Sequence, residues 1–282
     1  MNFKDIISRS PYVFTIGVAG DSGSGKTTFT NAVREIFGDE LVSTITLDDY
    51  HILDREGRQK AGITPLHPDA NNIALIEEHL EKIKSGVAFE KPVYDHKTGT
   101  FAPPVRFTTK KIVILEGLHT LFTPALRKKL DFTIFVDPDP SVKYAWKILR
   151  DREKRGYETE DVLNEIEARK KDYTSYIAPQ AEYADAIIKI GESRYDTPGV
   201  KGGNVYNVAL FLKKSDDKVK NITLSIDLFA INSLSDRDFM FEYQVHEISG
   251  KQTGSLSFDG ELQYEVIKTL EREVEHQTGV HP

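Results

Sequence analysis

Two hydrophobic periods alternate along residues 12–190. Tyr12–Ala19 (Y-V-F-T-I-G-V-A) is nearly continuously apolar and β-rich, the pattern of a strand covered on both faces. Lys26–Phe37 predicts a helix, with Gly38 where a helix stop is expected. Leu41–Leu47 predicts a second strand. Ala70–Lys84 is amphipathic, with Ile73, Ile76, Leu80 and Ile83 three or four residues apart and Gly86 behind them. Phe89–His96 and Val105–Thr109 predict a two-stranded excursion around Lys97-Thr98-Gly99-Thr100. Lys111–Glu116 and Asp131–Asp137 predict two more buried strands. Asp139 and Pro140 then supply an N-cap and a first-turn proline for a helix over Ser141–Arg155. Thr159, Glu160 and Asp161 open a further helix, and Ala186–Ile190 closes the series as a strand. Strands alternating with helices predict an α/β fold, a doubly wound parallel sheet with helices on both faces.

The texture changes from Gly191. Gly202-Gly203 precede Val205–Leu212 and Asn221–Ile231, which alternate apolar and polar residues around a polar Lys213–Lys220 turn. Phe239–Ile248 and Ser255–Phe258 flank a Ser-Gly-Lys-Gln-Thr-Gly loop, and a helix from about Glu261 to His276 ends at Gly279. This predicts an antiparallel C-terminal extension, giving a core over 1–198 and an accessory part over 199–282 that is packed on, or extends, the core sheet.

Composition narrows the classes. The 282 residues include no cysteine, which removes disulfide scaffolds, thiolate zinc sites, iron–sulfur clusters and thiol switches. The net charge of −7 argues against nucleic acid or anionic lipid as a general partner. No apolar run reaches the roughly 20 residues of a membrane span. Met1–Pro11 lacks the apolar segment of a secretory signal, so a reduced, cytoplasmic compartment is expected.

The chemistry begins at Gly20-Asp21-Ser22-Gly23-Ser24-Gly25-Lys26-Thr27, which matches G-x-x-x-x-G-K-[ST] between a strand and a helix. Glycines let consecutive N–H groups turn inward, and the helix N-terminus adds to the anion hole. Lys26 supplies a charge for the β/γ-phosphate oxygens, Thr27 a hydroxyl for Mg²⁺, and Thr28 follows; ATP is the expected co-substrate. Asp48 and Asp49 follow the second strand, where ligands of parallel sheets sit. An acid there suits a general base for an acceptor hydroxyl, or only opens a solvated turn. Glu116 ends its strand and suits Mg²⁺, directly or through water, or caps a helix. On helix 141–155, Val142, Ala145, Trp146 and Leu149 form an apolar stripe that predicts the core-facing side. Lys147, Arg150 and Asp151 form a separate polar stripe, either a solvated face or a basic lid over phosphates.

Taken in order, G-D-S-G-S-G-K-T-T-F, L-D-D-Y-H-I-L-D-R-E-G-R, H-P-D-A-N-N, K-P-V-Y-D-H-K-T-G, I-L-E-G-L-H, A-W-K-I-L-R-D-R-E-K-R-G, I-E-A-R-K-K-D-Y and I-A-P-Q-A-E-Y-A-D-A resemble the phosphoribulokinase family, within the phosphoribulokinase/uridine kinase group. The resemblance covers about residues 13–190. It implies a P-loop kinase-type fold and transfer of the ATP γ-phosphoryl group to the 1-hydroxyl of D-ribulose 5-phosphate, with Mg²⁺. By motif position it implies Asp48 as base, with Asp49 beside it as the competing choice. His51 and Arg55 fall at sugar-phosphate contacts, and Tyr94 and His96 in the motif shaping the acceptor pocket. Lys147 falls at the lysine stabilising the transferring group, Arg150 and Arg155 at basic lid positions, and Asp151 at an acid needed for turnover. A homodimer is also implied.

Two departures stand out. Plant and cyanobacterial members carry a cysteine of a disulfide switch at the position of Ser24, so no thiol-based regulatory partner is expected. Thr120 follows I-L-E-G-L-H where proline is usual, and the shorter tail resembles archaeal or other prokaryotic forms. Two other functions compete: a nucleoside kinase of the same fold, and a nucleotide switch, for which the guanine-specific N-K-x-D segment is absent. His67 and His119 lie in family-like segments and are equally open to structural roles. His79 is expected at the surface or a boundary, and His246, His276 and His281 outside function.

Overall fold

The computed structural model describes residues 3–195, 205–213, 239–248, 251–261 and 263–279. In chain order the elements are α1 (Phe3–Arg9), β1 (Phe14–Gly20), α2 (Lys26–Phe37), β2 (Val42–Thr46), a 3₁₀ turn (Leu47–Tyr50), α3 (Arg55–Ala61), α4 (Ile73–Lys84), β3 (Phe89–Asp95) and β4 (Thr100–Phe107). Then come β5 (Ile112–Gly117), α5 (Pro124–Lys129), β6 (Phe132–Pro138), α6 (Pro140–Arg155), α7 (Thr159–Asp172), a π-helical turn (Tyr173–Ile177), β7 (Ala186–Glu192), β8 (Tyr206–Lys213), β9 (Phe239–Ile248), β10 (Lys251–Gly260) and α8 (Tyr264–Thr278). They fall into two compact units. The larger comprises residues 10–136 and 143–184, the smaller 1–9, 137–142 and 185–282.

The larger unit is built on four parallel strands in the order β2-β5-β1-β6. All six residues of β5 are buried, which is why its sequence reads as an unbroken apolar run until Glu116. The register sets Glu116 between Val18 of β1 and Thr46 of β2. The carboxyl ends of β1, β2 and β5 therefore share one edge, the place where parallel sheets bind ligands. Helix α2 packs over β1, β2 and β5. It starts after Gly25 in the left-handed region (φ 91°). The predicted excursion is the β3–β4 hairpin, paired from Phe89↔Phe107 to Asp95↔Thr100, with an irregularity around Pro92 because proline cannot donate to the ladder. Phe89 stacks on Phe107 and on His79. His79 is thus buried rather than at the surface, and its Nδ1 meets the Tyr50 hydroxyl at 2.9 Å, tying the 3₁₀ turn to α4.

Helix α6 meets the expected packing only in part. Of its apolar stripe Val142 is buried and Trp146 half-buried, but Ala145 is exposed, and so is Leu149 at 54%. Lys143, Lys147 and Asp151, four residues apart, are buried as well. Charged side chains tolerate burial only when paired, and these three are.

The smaller unit contains an antiparallel sheet in the order β7-β8-β10-β9. Strand β7 runs antiparallel to β8, with Ala186 opposite Leu212. The expected loop between β9 and β10 is shorter than its sequence suggested, because Lys251–Gly254 pair with Val245–Ile248. Phe241 and Val266 form a small core with Phe239, Leu256, Phe258 and Leu270. Buried Asp259 is satisfied by Ser193 Oγ at 2.6 Å and Arg194 Nε at 2.7 Å. The Asn221–Ile231 strand expectation, the Gly202-Gly203 pair and His281 lie outside the described residues. Among the described residues, no helix is long and apolar enough to cross a membrane.

Candidate active site

The phosphate loop joins β1 to α2 and lies against α6. A Cβ on Gly23 (φ 82°) would stand 3.1 Å from Lys147 Cβ, and one on Gly25 would stand 3.2 Å from the Trp146 ring. Glycine is needed at both positions for backbone conformation and for this close approach. Trp146, expected in the core, is instead half-buried against the loop. Lys26 Nζ donates to the Asp21 carbonyl at 2.6 Å. Burial pulls the Lys26 ammonium below its usual pKa, opposed by the carboxylates of Asp48, Asp21 and Glu116. Asp48 and Glu116 are thus within electrostatic reach of the loop. Ser24 is fully buried, and among the described residues its hydroxyl has no hydrogen-bond partner. Thr27 and Thr28 are exposed.

Glu116 is 7% exposed and is held by three hydroxyls. Thr27 Oγ1 donates at 3.2 Å, Thr30 Oγ1 at 2.8 Å and Thr46 Oγ1 at 2.9 Å. Among the described residues, no lysine or arginine pairs with it. A buried carboxylate next to a serviceable hydroxyl, with its charge uncompensated by direct contact, fits Mg²⁺. The described residues contain no cluster of three or more His, Cys, Asp or Glu in metal-binding array. Mg²⁺ needs none, since it keeps waters and shares phosphate oxygens.

On the acceptor side the structure separates the two adjacent aspartates. Asp49 is committed to the framework: its carboxylate takes the Lys91 ammonium and, at 2.8 Å, the Tyr94 backbone N–H. Asp48 has a side chain 38% exposed and faces His96 Nε2 at 3.3 Å. Burial favours its neutral acid form. The hydrogen bond from His96, the neighbouring His51 and His96 imidazoles and, least, the charge of Lys26 outweigh that and hold the carboxyl well below the usual range. Asp48 is therefore ionised throughout the neutral pH region.

His51 is buried, and burial lowers its pKa, so the imidazole is neutral at neutral pH. Its Nδ1 lies 2.9 Å from Asn71 Oδ1. The Asn71 amide is itself oriented, because its Nδ2 donates to the carbonyls of Pro65 and His67 at 2.9 and 3.0 Å. Asn71 Oδ1 must then accept, His51 Nδ1 must donate, and Nε2 is left with a lone pair. Arg55 Nη2 donates to the His96 carbonyl at 2.6 Å, bringing Arg55 and His96 together beside Asp48. Tyr94 is buried, with its hydroxyl engaged by Gly99 O at 3.1 Å and Arg58 Nη2 at 2.8 Å. Its ring meets His51 and His96 edge-on, so it shapes the pocket as a support.

From α6, Lys147 (3% exposed) donates to Asp151 at 2.9 Å and lies 3.6 Å from Glu165. Burial lowers the Lys147 pKa, with Arg169 adding to the effect. Asp151 is fully buried, and Arg150 also binds it, through Nε at 2.9 Å and Nη2 at 3.2 Å. Burial would raise the Asp151 carboxyl, but these two cations bring it down to about 2. Arg150 also reaches Ser22 of the phosphate loop at 3.2 Å. The side chain of Arg155 lies outside the described residues.

Sequence reasoning passed over Thr30, Thr46, Asn71, Arg58, Lys91 and Lys143. Arg58, Asn71 and Lys91 lie inside the longer family-like segments, and Thr30, Thr46 and Lys143 outside them. His119 proves to be 1% exposed. Burial and the nearby histidines His51 and His67 push its pKa down to about 4, against the pull of Asp48.

A family model described as Phosphoribulokinase / Uridine kinase family matches residues 15–195. The chain belongs to the phosphoribulokinase/uridine kinase family. A phosphoribulokinase of Synechocystis sp. is 47% identical over 182 residues, which are 64% of this chain and 55% of that protein. A chloroplastic phosphoribulokinase of Arabidopsis thaliana is 38% identical over 229 residues, 75% of this chain and 58% of that one. The chain thus spans somewhat over half the length of these curated relatives. A solved phosphoribulokinase structure from Rhodobacter spheroides aligns over 95% of both chains, with a TM-score of 0.60 and 20% identity, which establishes a shared P-loop kinase fold.

Proposed function

We propose that the protein is an ATP-dependent kinase that phosphorylates the 1-hydroxyl of D-ribulose 5-phosphate, giving D-ribulose 1,5-bisphosphate. The observation that carries this reading is an ionised Asp48 in the electrostatic field of the phosphate-loop lysine, with Asp49 engaged elsewhere. Its low basicity suits a loose phosphoryl-transfer transition state, in which the acceptor proton leaves late and orientation of the hydroxyl matters most. Asp48 aligns the hydroxyl and takes its proton. His96 holds Asp48, and His51 Nε2 accepts from another sugar hydroxyl. Arg55, Arg150 and Arg155 take the sugar phosphate, while Lys26 and Lys147 neutralise the transferring group. Asp151 holds Lys147 and Arg150 in place. Thr27 and Glu116 are the residues that would hold Mg²⁺, which would supply charge neutralisation for the transferring phosphate.

The relatives at 38–47% identity bear the name phosphoribulokinase, which supports the sugar phosphate over a nucleoside. A cytoplasmic homodimer without thiol control belongs to the same proposal, in keeping with a cysteine-free chain. The test is ADP release with Mg·ATP and a panel of acceptors. Turnover with ribulose 5-phosphate well above uridine is expected. Turnover with uridine alone would move the protein to the nucleoside kinases, and nucleotide binding without any transfer would make it a switch.

A further inference from the structure

An anion-binding loop is an unfavourable place for a carboxylate, yet Asp21 is the second residue of this one. Its Oδ1 accepts from the Ser22 N–H at 2.7 Å and so shapes the loop. Its Oδ2 meets Lys143 Nζ at 2.8 Å, with both side chains largely withdrawn from water, at 17% and 11% exposure. Lys143 Nζ also lies 4.2 Å from the centre of the Tyr173 ring, in the π-helical turn, a cation–π contact that fixes its position. Arg150 of the same helix reaches Ser22, so Lys143 and Arg150, two turns apart on α6, hold successive loop residues.

We propose that Lys143 is a positioning residue for the nucleotide: it cancels the Asp21 charge and fixes that side chain, so that the loop keeps the shape Asp21 imposes without its repulsion of phosphate. This rests on the loop being the nucleotide site. Charges a few ångströms apart in a partly dry setting interact strongly, so an unpaired Asp21 would oppose a polyphosphate directly.

The role differs from a plain structural ion pair in the sign of a double substitution. Lys143→Met in the full chain is expected to weaken Mg·ADP binding by about 10–100-fold. Adding Asp21→Asn, which keeps an oxygen for the Ser22 N–H and removes the charge, should recover about tenfold or more of that loss. Lys143→Arg should stay within about threefold of wild type. Binding is read by calorimetry and by fluorescence of Trp146, the single tryptophan, which lies against Gly25. Should Lys143→Met fail to fold, Asp21→Asn alone decides, with binding expected to be equal or tighter. The proposal is overturned if Lys143→Met binds like wild type, if the double variant is weaker still, or if Asp21→Asn alone loses over tenfold. Wild-type protein that binds no nucleotide would overturn the nucleotide-site reading and this proposal together, whereas the other outcomes leave that reading intact.

Discussion

The candidate phosphate loop and the proposed acceptor side are made in different ways. The phosphate side is one continuous stretch, Gly20–Thr28, whose donors are mostly backbone and whose shape follows from glycines. The acceptor side draws Asp48 and His51 from one segment, Arg55 and Arg58 from α3, Asn71 from before α4, and Tyr94 and His96 from β3 and the turn after it. Chemistry assembled from dispersed side chains depends on supports behind the reacting groups, such as Asn71 behind His51. A loop can thus recognise phosphate in many proteins, while the acceptor is decided by packing between segments.

The largest effect that could break this contrast is at Asp48. Asp48→Asn is expected to lower kcat by about 10²–10⁴, with nucleotide affinity nearly unchanged. Ordinary turnover would transfer the base to another group, and lost ADP affinity would merge the two sides. Next is His119, held neutral by burial on the acceptor side. Its pKa of about 4 lies below the 6.5 of the unfolded chain. As pH falls from 6.5 toward 4, the unfolded state takes up the proton first, and stability is lost through that window. The full contribution is about 3 kcal/mol. Urea unfolding at pH 7 and 4.5 should show a smaller acid loss in His119→Gln than in wild type. Equal losses would mean that the imidazole is not a buried neutral group. The smallest effect tests the support idea itself: Asn71→Ala releases the His51 tautomer and should raise the acceptor KM by about tenfold, roughly the worth of one hydrogen bond. The KM for ATP should not move, and a matched change in both would show that Asn71 only stabilises the fold.

Much of this was legible beforehand, for reasons specific to each element. The strands around β1 and β5 were visible because both faces are covered and each position must be apolar. The loop at Gly20–Thr27 was visible because its chemistry is local. Helix α6 departs in part from its pattern, at Ala145 and Leu149, because hydrophobic periodicity assumes that only apolar residues go inside. Lys143, Lys147 and Asp151 are buried there because each meets an opposite charge, two of them on neighbouring segments, Asp21 and Glu165. The same failing hid His79, whose partner Tyr50 is 29 residues away.

Sequence alone determined where the phosphate-loop motif lies, most of the strands of the parallel sheet and the order of the family-like segments, since these depend on local backbone preference and on burial of contiguous apolar residues. Only the tertiary structure decided which of two adjacent aspartates is available, which histidine nitrogen keeps its lone pair, and which cation pairs with the Asp21 carboxylate. Each of those depends on a partner brought close in space from a distant part of the chain, and electrostatic and hydrogen-bond energies are set by that distance.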